Sequence, residues 1–178
     1  AVKAEPSLRF PFESVPAFGE VAEVPAGILW TRIPLPYQLD HVNIYLIRDG
    51  EGWVVIDTGI QTDKAIAVWE GLFAGPLKGM VLTRVVATHF HPDHIGLAGW
   101  LCDRFDAPLL TSLSAYMGTK VISLARNEGE LRQHFDFYTA HGMTEEVAGV
   151  VAIQGNEYLR RVADLPPTFL RLLMRDLR

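Results

Sequence analysis

Met80–Thr88 reads MVLTRVVAT, an apolar and β-branched run broken only by Arg84 and without the alternation of a strand that keeps one face in water. That is the pattern of a strand covered on both sides, and it points to a layered α/β architecture. The surrounding sequence agrees. Val21–Val24 and Ile28–Ile33 flank the turn Pro25-Ala26-Gly27. Val42–Arg48 and Trp53–Asp57 flank Asp49-Gly50-Glu51-Gly52, a hairpin signal with two glycines. Alternation in VNIYLI puts Val42, Ile44 and Leu46 on one side and Asn43, Tyr45 and Ile47 on the other. Over Thr62–Phe73 the period changes. Ile66, Trp69, Leu72 and Phe73 recur at three and four, which predicts a helix with one buried face. Leu97, Trp100, Leu101 and Phe105 predict a second helix over Ile95–Phe105, and Pro108–Thr111 a short strand. One mixed sheet is expected from residues 20–60 and 80–112, with helices 62–73 and 95–105 on a single face and the other face left apolar.

After Ser112 the texture is helical. Leu113–Arg126 and Gly129–His141 read as helices. Thr144 is a good N-cap, with Glu145 and Glu146 where the helix dipole favours them. That helix is expected to run to about Asp164, before Pro166-Pro167. Thr168–Arg178 is apolar and basic.

MVLTRVVAT leads directly into His89-Phe90-His91-Pro92-Asp93-His94, so three of the chain's six histidines gather in one short loop. Loops at strand ends are where a scaffold displays chemistry. In an extended stretch, residues two apart point the same way, so His89 and His91 converge. Asp93 and His94 follow Pro92 near a helix N-terminus. Imidazoles and a carboxylate at this density suit a divalent ion of borderline softness, zinc above all. The donors fall into two pairs, His89 with His91 and Asp93 with His94, which suggests two metal ions.

Composition narrows the partners. The 178 residues are 49% hydrophobic and 21% charged, as in a globular domain rather than a disordered chain. The net charge of −5 carries no block of like charge, so no nucleic-acid partner is expected. Cys102, the single cysteine, excludes an internal disulfide and suits a reducing compartment. No apolar run approaches the roughly 18 residues of a membrane span, and AVKAEPSLRFPF has no secretory core. The expectation is a cytoplasmic protein without a membrane partner.

THFHPDHIG, together with VVIDTGI upstream, resembles the H-x-H-x-D-H signature and preceding Asp-x-Gly strand end of the metallo-β-lactamase superfamily. The resemblance covers about residues 18–112. It implies a four-layer αββα sandwich of two similar halves, with metal along one edge. His89 and His91 would bind the first ion, Asp93 and His94 the second, and Asp57 would hydrogen-bond and orient the ligand loop. Di-iron oxygen reductases of this fold usually carry glutamate where His91 stands. The best-known zinc β-lactamases depart at Asp93 or His94. The pattern here is more similar to glyoxalase II and related thioesterases, lactonases and phosphodiesterases. The activity implied is hydrolysis of a small-molecule thioester, lactone, lactam or phosphoester by hydroxide on two zinc ions, iron or manganese being the alternatives. Asp93 is the catalytic candidate, steering the hydroxide's proton. Two other readings stay open: an iron-dependent sulfur dioxygenase with one metal, and a non-catalytic fragment or binding module.

The family's later ligands lie in its second half, and downstream of His94 only His134 and His141 remain. Residues 1–112 therefore read as the N-terminal half of the domain and 113–178 as a helical insertion or lid. A C-terminal half, or a second copy of the chain, is expected to cover the open sheet. Tyr116, Phe135, Phe137, Tyr138 and Met143 read as core before they read as a substrate channel. His134, His141 and His41 read as ordinary residues, and Cys102 as core.

Overall fold

The computed structural model describes residues 12, 14–124, 128–154 and 158–167. Along them run β1 (Ala22–Glu23), β2 (Ile28–Pro34), β3 (His41–Asp49), β4 (Gly52–Ile56), α1 (Asp63–Ala74), β5 (Leu82–Ala87), α2 (Pro92–Ile95), α3 (Ala98–Phe105) and β6 (Leu109–Thr111). There follow α4 (Leu113–Leu124), α5 (Glu128–Ala140), α6 (Glu145–Gln154) and α7 (Tyr158–Arg161). Thr168–Arg178 lies outside the described residues.

The hairpin forms where expected, with Gly50 at φ 60° between β3 and β4. Thr62 caps α1, its side chain accepting from the Ala65 amide. The sheet runs β1-β2-β3-β4-β5-β6, antiparallel as far as β4 and parallel from β4 to β6. This is the mixed sheet of an αβ half-sandwich.

Its inner face follows the alternation. Ile33, Ile44, Leu46, Val55 and Val85 are fully buried in one core with Trp69 and Leu72 of α1 and Leu101 of α3. Register lines up a second row on the outer face: Trp30, Tyr45, Ile56, Val86 and Leu110, one from each strand from β2 to β6. Tyr45 is 38% exposed and Leu110 44%, so no described element closes over this row. The run around β5 reads as doubly covered, but among the described residues only its inner face is.

Two expected helices differ from the observed ones. Ile95–Phe105 is interrupted between α2 and α3. The Leu97 amide, which a continuous helix would spend on the residue four back, donates instead to Thr58 Oγ1 and Gly59 O, both 3.1 Å away. The segment expected to stay helical to about Asp164 leaves the helix after Arg161 and continues as an irregular strap over residues 162–167. The strap is held by backbone bonds from Ala163 N to Gly96 O (2.7 Å) and from Gln61 N to Arg161 O (2.9 Å). It lies so close that a Cβ on Gly99 would overlap Asp164 O, and one on Gly96 would sit 2.7 Å from Arg161 O. Tyr116 Oη and Lys120 Nζ donate to the Pro166 and Leu165 carbonyls, tying α4 to the same strap. No helix among the described residues is long and apolar enough to cross a membrane.

Candidate metal centre

The site grows from the ends of two adjacent parallel strands. Asp57 follows β4 in the left-handed region, at φ 62°, a conformation that aspartate tolerates better than most residues. Its amide donates to Val86 O (2.8 Å) in the neighbouring strand. The turn aims its carboxylate at the loop after β5, where it is 7% exposed and fully engaged. Asp57 Oδ1 accepts from the Thr88 amide (2.8 Å), and Oδ2 accepts from His94 Nδ1 (2.8 Å). Thr88 Oγ1 lies 2.9 and 3.0 Å from the two oxygens.

Thr58 fastens the same loop from the other side. Its amide and hydroxyl both donate to His94 O at 2.8 Å, while its own carbonyl accepts from Trp69 Nε1 at 2.9 Å. Neither Thr58 nor Thr88 was expected to matter. The only signal for them in the sequence is that each stands beside a residue that was.

Burial works to raise the Asp57 pKa. The bonds from His94 and from the Thr88 amide and hydroxyl outweigh it and hold the carboxyl below its ordinary range. His94 moves the other way: the Asp57 bond raises it against burial, helped by the charges of Asp57 and Asp93. His89 is lowered, first by burial and then by its positive neighbours His94 and His91.

The five residues expected at the site, Asp57, His89, His91, Asp93 and His94, are brought together. The His89 ring centroid is 4.6 Å from that of His91 and 4.1 Å from that of His94. Pro92 opens α2 with His91 as its N-cap, which places Asp93 in the first turn. With His94 Nδ1 spent on Asp57, its Nε2 faces Asp93 Oδ2 at 3.2 Å. Two donors of one tetrahedral zinc lie about 3.3 Å apart, from zinc–ligand lengths near 2.0 Å, so this pair fits one ion. A histidine held by a carboxylate through its other nitrogen is also the usual setting of a ligand. Among the described residues no group of three or more His, Cys, Asp or Glu side chains is disposed around one point for an ion. The His89 ring lies nearer to that of His94 than to that of His91, and catalytic zinc takes about three protein ligands.

The remaining candidates lie elsewhere. His41 Nδ1 pairs with Asp40 Oδ1 at 2.6 Å at the start of β3. His141 Nδ1 bonds Phe137 O at 2.7 Å just past α5, and His134 is exposed. Tyr116 is core, Phe135, Tyr138 and Met143 are half-buried, and Phe137 is 56% exposed. Cys102 is buried in the core, its thiol pushed up to about 12 by burial and by Asp103, so it is no nucleophile at neutral pH.

Residues 37–117 match the family model described as the metallo-beta-lactamase superfamily. Over 98 residues the chain is 32% identical to the probable metallo-hydrolase YqjP of Bacillus subtilis, a match covering 51% of this chain and 30% of that protein. The crystal structure of a beta-lactamase domain protein from Burkholderia ambifaria superposes with a TM-score of 0.69 at 34% identity, covering 87% of this chain and 43% of that one. The metallo-beta-lactamase family protein TTHA1429 from Thermus thermophilus shares the fold, with a TM-score of 0.60 at 24% identity over 79% of this chain and 44% of that one. The chain thus spans less than half the length of each of these proteins.

Proposed function

We propose that this chain, which belongs to the metallo-β-lactamase superfamily through residues 37–117, is the metal-binding part of a metal-dependent hydrolase. The carrying observation is the arrangement of His94, with Nδ1 held by Asp57 and Nε2 set 3.2 Å from Asp93 Oδ2. His89 and His91 would hold one ion, and Asp93 and His94 a second. Imidazole and carboxylate donors favour zinc, with iron or manganese next. A metal bound there supplies a water of lowered pKa and a Lewis acid for a carbonyl or phosphoryl oxygen. The chain's own share is to hold and orient. Asp57 would keep His94 in one tautomer, and Asp93 would accept the proton of an attacking water. The substrate class we infer is a small thioester, lactone, lactam or phosphoester.

Residues 1–112 act in this reading as the N-terminal half of the catalytic domain. Residues 113–178 act as a helical insertion, whose described part is tied to the metal loop through Gly96 and the strap. The apolar outer row supports a second half as the partner, because an exposed patch of this kind is unusual on a monomer. That half would also complete each donor pair.

Zinc titration by calorimetry tests the reading. The 178-residue chain is expected to bind zinc weakly and to hydrolyse nothing at a useful rate. Adding the second half, in cis or as a separate chain, is expected to restore both. In the complete protein His91→Ala should abolish zinc-dependent hydrolysis while the fold is retained, and full activity in that variant would overturn the mechanism. Iron alone, at one ion per chain, would turn the reading towards a dioxygenase.

A further inference from the structure

Thr88 stands between two groups with opposite demands. Its Oγ1 is 2.9 and 3.0 Å from the oxygens of Asp57 and 3.0 Å from His89 Nδ1. A hydroxyl has one proton to donate and lone pairs with which to accept, and an ionised carboxylate only accepts. The Thr88 proton therefore goes to Asp57. What remains towards His89 is a lone pair, which requires a proton on His89 Nδ1 and leaves the lone pair of that ring on Nε2. His94 receives the same instruction directly, from Asp57 Oδ2 at 2.8 Å from its Nδ1. The Thr88 amide, also bonded to Asp57 at 2.8 Å, holds the hydroxyl in place.

We propose that Thr88 is a positioning residue, relaying Asp57 to His89 so that one buried carboxylate sets the Nδ1–H tautomer of two histidines. His89 belongs to one proposed ligand pair and His94 to the other. A single side chain behind the loop thus prepares one Nε2 donor in each pair. The consequence for metal binding rests on the function proposed above; the position of the proton does not.

The experiment is a long-range ¹⁵N–¹H spectrum of the histidine rings in the metal-free 178-residue chain, above the pH at which they titrate, together with zinc titration. His89 and His94 are both expected as Nδ1–H in the wild type. In Thr88→Val, which keeps the shape and removes the hydroxyl, His89 should lose that preference while His94 keeps it. Zinc affinity, titrated with the second half present, should fall by about 10- to 100-fold, the usual cost of losing a group that orients a ligand. Thr88→Ser should restore both. Finding His89 as Nε2–H in the wild type overturns the proposal, as does an unchanged His89 tautomer in Thr88→Val. The wild-type spectrum places the proton by itself, so misfolding of the valine variant does not remove the test. Expected tautomers in the wild type, with no zinc binding even when the second half is added, would leave the relay standing and sink the metal reading.

Discussion

Around Asp57, groups far apart in sequence share hydrogen bonds: Asp57 with Thr88 and His94, Thr58 with His94 and Leu97, and Trp69 with Thr58. In α5 and α6 the bonds stay local. Thr139 Oγ1 donates to Phe135 O, His141 Nδ1 is bonded to Phe137 O, and Ala148 N donates to Thr144 O. In the first region Asp57 and Thr58 are buried, and their polar groups hold one another and the partly exposed His94 and exposed Thr88 in place. The second leaves Phe137, Val147 and Val150 about half exposed. Asp57 and Thr58 have little water to fall back on, so losing a partner there costs more than it would at the surface. In the second, solvent replaces what a substitution removes.

The largest expected effect follows from that difference. Asp57→Ala leaves the Thr88 amide, the Thr88 hydroxyl and His94 Nδ1 without their acceptor. It should cost about 3 kcal/mol in urea denaturation, the scale of breaking a buried charged network. A loss below about 1 kcal/mol would mean that water already reaches the carboxylate.

Gly99→Ala should come next, because its Cβ would collide with the Asp164 carbonyl. About 1–3 kcal/mol is expected, on the scale of overpacking. Hydrogen exchange at the Ala163 and Gln61 amides should accelerate as the strap lifts. If those amides stay protected, the strap is not what joins the helical segment to the metal loop.

The same carboxylate shapes the acid response of the metal-free chain. Because folding lowers the Asp57 pKa, its contribution is present above the unfolded carboxylate value of about 3.9 and is lost as pH falls through the folded value. Asp57→Asn should therefore flatten the rise of the urea midpoint with pH below about pH 4. An unchanged slope would assign acid sensitivity to other carboxylates.

Phe137→Ser should do least. At 56% exposure it should change stability by no more than about 0.5 kcal/mol in the same assay. A loss above about 1 kcal/mol would erase the contrast between the two regions.

The features legible in the sequence were those carried by neighbours along the chain. Alternation in Val42–Ile47 identified the inner face, period assigned α1, and Thr62 and Gly50 sit where capping and turn chemistry require. The histidine cluster was visible because its members lie within six positions. Thr58 and Thr88 were not, because each acts through a partner more than thirty residues away. The break at Leu97 was hidden for the same reason. A helical period continues through it, and only the presence of Thr58 and Gly59 draws the amide away.

Sequence alone was enough for the mixed sheet, the side it buries, the residues that gather at its edge and the family to which they point. These follow from side-chain periodicity and local backbone preference, which act over a few residues. Tertiary structure decided that Asp57 is buried and bonded to His94, that Asp93 and His94 present their donors 3.2 Å apart, and that a strap crosses two glycines beside the loop. Those are contacts between segments separated by many residues. Their energies come from removing polar groups from water and pairing them, and no single segment encodes that before the chain closes on itself.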